Sequence, residues 1–218
     1  DLDGTLVDTA PDLMLAHNHV MKKFGYPTKS TEDIRNLVGK GAEALIGRSI
    51  WGQAKKEFSK VLDEKIKDEM VKEFVNFYGK NIVNESTLIT GVKDFLIWCK
   101  EQNISMAVCT NKQEHLSNDL LKKIGIYDFF EYVAGSDTFD YCKPDPRHLT
   151  NVVEILDGDL KKTIMIGDSE TDANAGKAAE IPVILLENGY TEKNTTEIYH
   201  NHLIKDFTGI EKIIKKYL

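Results

Sequence analysis

The sequence has 218 residues, 41% of them hydrophobic and 29% charged, with a formal net charge of −7. That length allows one large or two modest domains, and the apolar share is enough for a core. The negative charge speaks against a nucleic-acid partner, whose phosphates call for a clustered basic surface, and no apolar run nears the ~18 residues of a membrane helix.

The chain opens on the polar cluster Asp1-Leu2-Asp3-Gly4-Thr5. Asp8 or Thr9 is expected to cap a first helix, with Pro11 in its first turn. Leu13, Ala16, Val20 and Phe24 share one face of that helix, and Gly25 with Pro27 stops it. Ser30 and Asp33 form a capping-box pattern opening a second helix through Val38. Gly39-Lys40-Gly41 interrupts, and a further helix is expected through Trp51. Phe58, Leu62, Ile66, Met70, Phe74 and Tyr78 then recur every fourth residue, a step that drifts around a straight helix, so this stretch reads as one helix or two. No strand pattern interrupts residues 12–84. They are expected to form a small all-helical cap domain, inserted into a core made of residues 1–11 and 85–218.

From about residue 88 short apolar runs, 104–109, 132–134, 163–166 and 181–186, alternate with helical patterns at 92–100, 114–123, 146–156 and 171–179, and a last helix reads at 209–217. Alternation of this kind predicts an α/β fold with a doubly wound parallel sheet, a Rossmann-like core, whose strands are apolar throughout because both faces are covered. Ligands bind such sheets beyond the carboxyl ends of the strands. Polar residues stand at those ends: Thr110-Asn111-Lys112 after the first run, Lys143-Pro144 beyond the second, Gly167-Asp168-Ser169 with Asp172 after the third. A strand upstream of Asp1 would bring the opening cluster to the same edge, and such a strand is expected.

The set has a chemical logic. Asp1, Asp3 and Asp168 make a hard, oxygen-rich environment suited to Mg²⁺, which would keep clustered carboxylates ionised. An ionised aspartate beside such a cation can attack phosphorus. Lys143 supplies positive charge for the transferring group, and the Thr110 hydroxyl can hold a phosphate oxygen. Asp3 can protonate a leaving alkoxide and later activate water. Single members have blander readings: Thr110-Asn111 as a helix cap, Lys143 as a loop lysine, Asp1 and Asp3 as solvated charges. An EF-hand reading of the opening cluster fails at its sixth position, where Leu6 replaces the required glycine. The ordered set carries the weight. Cys99, Cys109 and Cys142 lack metal or disulfide spacing and fit a reducing, cytoplasmic setting.

DLDGTLVDT (1–9), CTN (109–111), KP (143–144) and GDSETD (167–172), in that order, resemble the haloacid dehalogenase-like hydrolase superfamily, over nearly the whole chain. GTLVDTAPDL (4–13), LVGKGAEALIGRSI (37–50) and GYTE (189–192) are similar to its phosphoglycolate phosphatase branch. The resemblance implies Asp1 as nucleophile and Asp3 as general acid and base. It implies Mg²⁺ held by Asp1, the backbone carbonyl of Asp3 and Asp168, with phosphate bound by Thr110, Asn111 and Lys143. Asp172 would orient Lys143 and the waters of the metal. Lys40 would face the site from the helical insert, where it could meet a substrate carboxylate; a solvated turn lysine is the other reading. In that superfamily an acid at the position of Asp3 goes with phosphate-ester chemistry, and not with dehalogenation. The implied activity is hydrolysis of a small phosphorylated metabolite, 2-phosphoglycolate first, by a monomer or homodimer. A phosphosugar mutase similar to β-phosphoglucomutase, or a phosphatase for pyrophosphate, nucleoside monophosphates or sugar phosphates, stays open.

Overall fold

The computed structural model describes residues 1–54 and 64–218, with side chains described outside 51–64. Phe58 and Leu62 of the four-residue repeat therefore lie outside the described residues.

The helical insert follows its sequence pattern closely. Helix α1 spans Ala10–Phe24 and buries Leu13, Ala16, Val20 and Met21, and Gly25 ends it with φ 78°, a left-handed turn that glycine adopts without strain. Helix α2, Thr31–Arg35, carries the capping box between Ser30 and Asp33, but stops short of Val38. Among the described residues, helices α3, Gly41–Ala54, and α4, Glu64–Lys80, follow, with α4 packed on α1 and α3. On α4 the repeat buries Met70, Phe74 and Tyr78 but leaves Ile66 39% exposed. A step of four residues turns about 40° beyond a full revolution, so three steps carry Ile66 off the packed face.

The remaining chain carries most of the strands, and all seven strands of the described residues pair in three groups. Strands β1, Val7–Asp8, and β2, Thr87–Leu88, form a short antiparallel pair that the sequence pattern did not reveal. Helix α5, Val92–Glu101, precedes β3, Ala107–Cys109, and α6, Glu114–Ile124, leads to β4, Tyr132–Ala134, parallel to β3. Helix α7, Arg147–Ile155, precedes β5, Met165–Gly167; α8, Glu170–Ala178, follows, and then β6, Val183–Leu186. Strand β7, His202–Ile204, also unforeseen, extends the parallel group β5-β6-β7. The last helix, α9, covers only Glu211–Ile214. In the run from residue 104, the first residues do not pair as strand; the Ile104 N–H instead bonds the Cys99 carbonyl at the end of α5.

Alternating residues of β6 sort onto the two sheet faces, as strand geometry requires. Ile184 and Leu186 join the larger cluster with Leu96, Leu120 and Phe207, whereas Val183 and Leu185 join a second with Leu149, Val152 and Ala173. Helices α5 and α6 thus cover one face, α7 and α8 the other. No described helix is long and apolar enough to cross a membrane.

Candidate active site

The opening cluster forms a tight turn against β5. The backbone N–H of Asp1 donates to the Ile166 carbonyl at 2.8 Å, and the N–H groups of Leu6 and Val7 return to the Leu2 carbonyl. Leu2 is fully buried, so Asp1 and Asp3, two positions apart, are both left to line the cavity described below. Gly4 sits at φ 81°, and a Cβ there would fall 2.2 Å from Asp168 Oδ2. Only glycine lets this turn lie against Asp168.

Lys143 stands at the centre. Its ammonium lies 2.9 Å from Asp1 Oδ1 and 2.6 Å from Asp172 Oδ1, with 1% of the side chain exposed. Its backbone is also held: the N–H donates to His148 Nδ1 at 3.1 Å, and the carbonyl accepts from Asn111 Nδ2 at 2.9 Å. Asp172, in the first turn of α8, accepts at Oδ2 from the N–H and hydroxyl of Ser169 and from the N–H of Asp168. Every oxygen of Asp172 is thereby engaged in holding other groups. Burial opposes its ionisation, but the Lys143 ammonium and the Ser169 hydroxyl outweigh that and hold its carboxyl below the usual range. Asp168, at the end of β5, accepts from the Tyr190 N–H at 2.6 Å and from the Thr5 hydroxyl at 3.3 Å. Burial first, and the Asp172 carboxylate next, push Asp168 up to about 7.

Asp3 keeps different company. Its Oδ1 accepts from the Thr9 hydroxyl at 2.7 Å and its Oδ2 from Lys112 Nζ at 2.8 Å. The expectation that Asp8 or Thr9 caps α1 is therefore corrected: Thr9 makes no side-chain cap bond, because its hydroxyl is spent on Asp3. Asp8 instead pairs with Arg35 at 2.6 Å and accepts from the Tyr190 hydroxyl at 2.5 Å.

Thr110 and Asn111 follow β3. Thr110 is buried, its N–H bonded to the Ala134 carbonyl. The Asn111 amide nitrogen donates to the carbonyls of Gly39 and Lys143, tying the loop before α3 to the lysine loop. Lys40 is exposed, at the lining of a cavity of about 300 Å³ shared with Asp1, Asp3, Thr110, Lys112 and Tyr78. All of the sequence-selected residues except Asp168, Asp172 and Lys143 line this cavity directly, and those three cluster with Asp1. Cys142 also lines it, but burial pushes its thiol up, away from the reactive thiolate. Sequence reasoning gave no part in the site to Lys112, Thr9, Tyr78 or Tyr190; it read Thr9 as a helix cap and Tyr78 as part of an apolar repeat. Lys112 had one available signal, its place directly after a strand end beside Thr110.

Carboxylate oxygens of Asp1, Asp168 and Asp172 lie within 4.8 Å of one another. Three acids this close, one of them resisting ionisation, fit a divalent cation, which would relieve the repulsion. Asp172 is the least available of the three. The Asp3 carboxylate is not part of this cluster.

Known proteins resemble this chain over most of its length. The sequence model of the haloacid dehalogenase-like hydrolases matches residues 1–186. A protein of Mesorhizobium japonicum named phosphoglycolate phosphatase is 36% identical over 210 residues, 96% of this chain and 90% of that one. A crystal structure from Haemophilus somnus, described as a predicted phosphoglycolate phosphatase, superposes with a TM-score of 0.91 at 31% identity, covering 98% of this chain and 95% of that one. A β-phosphoglucomutase from Clostridium difficile shares the fold, with a TM-score of 0.79 at 23% identity over 100% of this chain and 94% of its own. Motifs, sheet, helical cap and relatives concur, and the chain belongs to the haloacid dehalogenase-like hydrolases.

Proposed function

We propose that this phosphatase hydrolyses the monoester of a small phosphorylated metabolite, 2-phosphoglycolate above others, through a phosphoryl group carried on Asp1. The observation that supports it best is the Lys143 ammonium lodged between Asp1 and Asp172, with Asp168 beside them. Residues 12–84 serve as the cap and residues 1–11 with 85–218 as the core.

In this reading an Asp1 oxygen attacks phosphorus while the ester oxygen departs and takes a proton from Asp3. Water then attacks the aspartyl-phosphate, Asp3 accepts its proton, and inorganic phosphate leaves with Asp1 restored. Lys143 and Thr110 hold the oxygens of the transferring group, and Asp172 keeps Lys143 in place. Asn111 works through its ties to Gly39 and Lys143, and Lys40 stands at the cavity mouth. Mg²⁺, held by Asp1, Asp168 and the backbone carbonyl of Asp3, would offset the charge repulsion between carboxylate and phosphate. The cap excludes bulk water from the aspartyl-phosphate. Free Cys99, Cys109 and Cys142 suit a cytoplasmic setting.

A panel of phosphorylated metabolites, assayed for released phosphate with Mg²⁺ and with chelator, tests this. Phosphate release from 2-phosphoglycolate that needs Mg²⁺ is the expected result. Isomerised sugar phosphate without free phosphate would favour the mutase reading, and turnover unaffected by chelator would remove the metal.

A further inference from the structure

Beyond Asp3 the cavity continues toward α4, where two polar groups remain that phosphoryl transfer does not use. Tyr78 is 1% exposed and lines the cavity, yet its hydroxyl has no hydrogen-bond partner. A buried hydroxyl without a partner is disfavoured by about 1–3 kcal/mol, so such a group at a cavity wall points to a ligand atom. The second is Lys112, whose side chain is 5% exposed. Its ammonium lies 2.8 Å from Asp3 Oδ2 and 4.5 Å from the centre of the Tyr78 ring. An ammonium carries three donors, and Asp3 accepts from one of them. Around this pair Leu13, Leu45, Val71 and Phe74 supply apolar walls.

We propose that the Tyr78 hydroxyl and the Lys112 ammonium together bind a carboxylate on the leaving group, so that the enzyme selects phosphate esters of short hydroxy acids. The inference rests on the reading of Asp1 and Asp3 given above. Geometry limits the length of the substrate. The ester oxygen must reach Asp3, and the carboxylate must reach an ammonium that itself touches Asp3. Three hydrogen bonds in series, ester oxygen to Asp3, Asp3 to the ammonium and the ammonium to the carboxylate, place those two ends within about 8 Å, which a short-chain acid spans and a long one exceeds. A neutral alcohol would leave the ammonium unanswered on that side, and a bulky one would press on the apolar walls. Tyr78 comes from the cap and Lys112 from the core, so the bound carboxylate bridges the two parts and favours their closure.

The test compares 2-phosphoglycolate with 2-hydroxyethyl phosphate, which replaces the carboxylate by a hydroxymethyl group. Wild-type enzyme is expected to prefer the acid. Tyr78→Phe should lower kcat/KM for 2-phosphoglycolate about tenfold, chiefly through KM, and Lys112→Met should lower it further. Both should shrink the ratio of the two kcat/KM values, a quantity that general misfolding leaves unchanged because it affects both substrates alike. A ratio equal to wild type in both variants, with phosphate still released, overturns this inference and leaves the phosphatase reading standing. Should Asp1→Asn retain full activity, the reading of the site falls and takes this inference with it.

Discussion

Asp12 and Ser86 meet across 74 residues of chain: Asp12 Oδ2 accepts from the Ser86 N–H at 2.9 Å and from its hydroxyl at 2.6 Å. The same carboxylate takes the N–H groups of Asn84 and Glu85, each at 3.0 Å. Asp12 lies in the first turn of α1, and residues 84–86 lie between α4 and β2, so one 1%-exposed side chain fastens the two ends of the helical segment. Asp12→Ala would strand the buried N–H and hydroxyl of Ser86 and is expected to destabilise the fold by about 3 kcal/mol. Urea unfolding followed by circular dichroism measures this; a loss below about 1 kcal/mol would show the clamp to be dispensable.

Asp1 and Asp3 should differ in how they fail. Asp1→Asn removes the proposed nucleophile, and kcat is expected to drop by about 10⁴ or more for every ester. Asp3→Asn should lower kcat by about 10²–10⁴ for an alkyl phosphate. With p-nitrophenyl phosphate, whose leaving group needs little protonation, the loss should be much smaller. Equal losses on both substrates would exclude Asp3 as the acid.

Asp168, raised to about 7, makes a pH-dependent claim. Its folded value lies above the unfolded one, so its contribution to stability is complete below ~3.9 and is lost as pH climbs through about 7 in metal-free protein. A cation must displace that proton at low pH, and meets a free carboxylate at high pH. A fixed Mg²⁺ concentration should therefore raise Tm more at pH 8 than at pH 6. Identical shifts at the two values would separate Asp168 from the metal.

His148 runs in the opposite sense. Burial first, then the Lys143 ammonium, lower it to about 4, and its Nδ1 must stay unprotonated to accept from the Lys143 N–H. Its contribution is present above ~6.5 and lost as pH falls through about 4. His148→Asn, which keeps an acceptor but cannot titrate, should flatten the decline of the urea midpoint between pH 6.5 and 5. A decline as steep as wild type would assign acid sensitivity elsewhere.

Much of this protein is legible along the chain, and the reason is local. Gly25 ends α1, Ser30 and Asp33 box α2, and the apolar runs that became β3 to β6 record burial that each segment carries by itself. The acids, Thr110 and Lys143 stood out along the chain because they follow apolar runs, where an open α/β sheet binds its ligands. The two-residue strands β1 and β2 carry too few positions for a period to register, and β7, which opens on His202, stands in no apolar run like those of β3 to β6.

Partner choice was decided only by the tertiary structure. Thr9 looks like a helix cap until Asp3 lies 2.7 Å from its hydroxyl, and Lys112 is one lysine among many until the turn at Gly4 brings Asp3 to it. Tyr78 reads as a core aromatic in the α4 repeat, and folding alone sets it in a cavity wall with its buried hydroxyl unpartnered. Sequence periodicity reports which side of an element is buried. Which charge or hydroxyl stands opposite depends on how elements tens of residues apart are packed, and that is information no single segment holds.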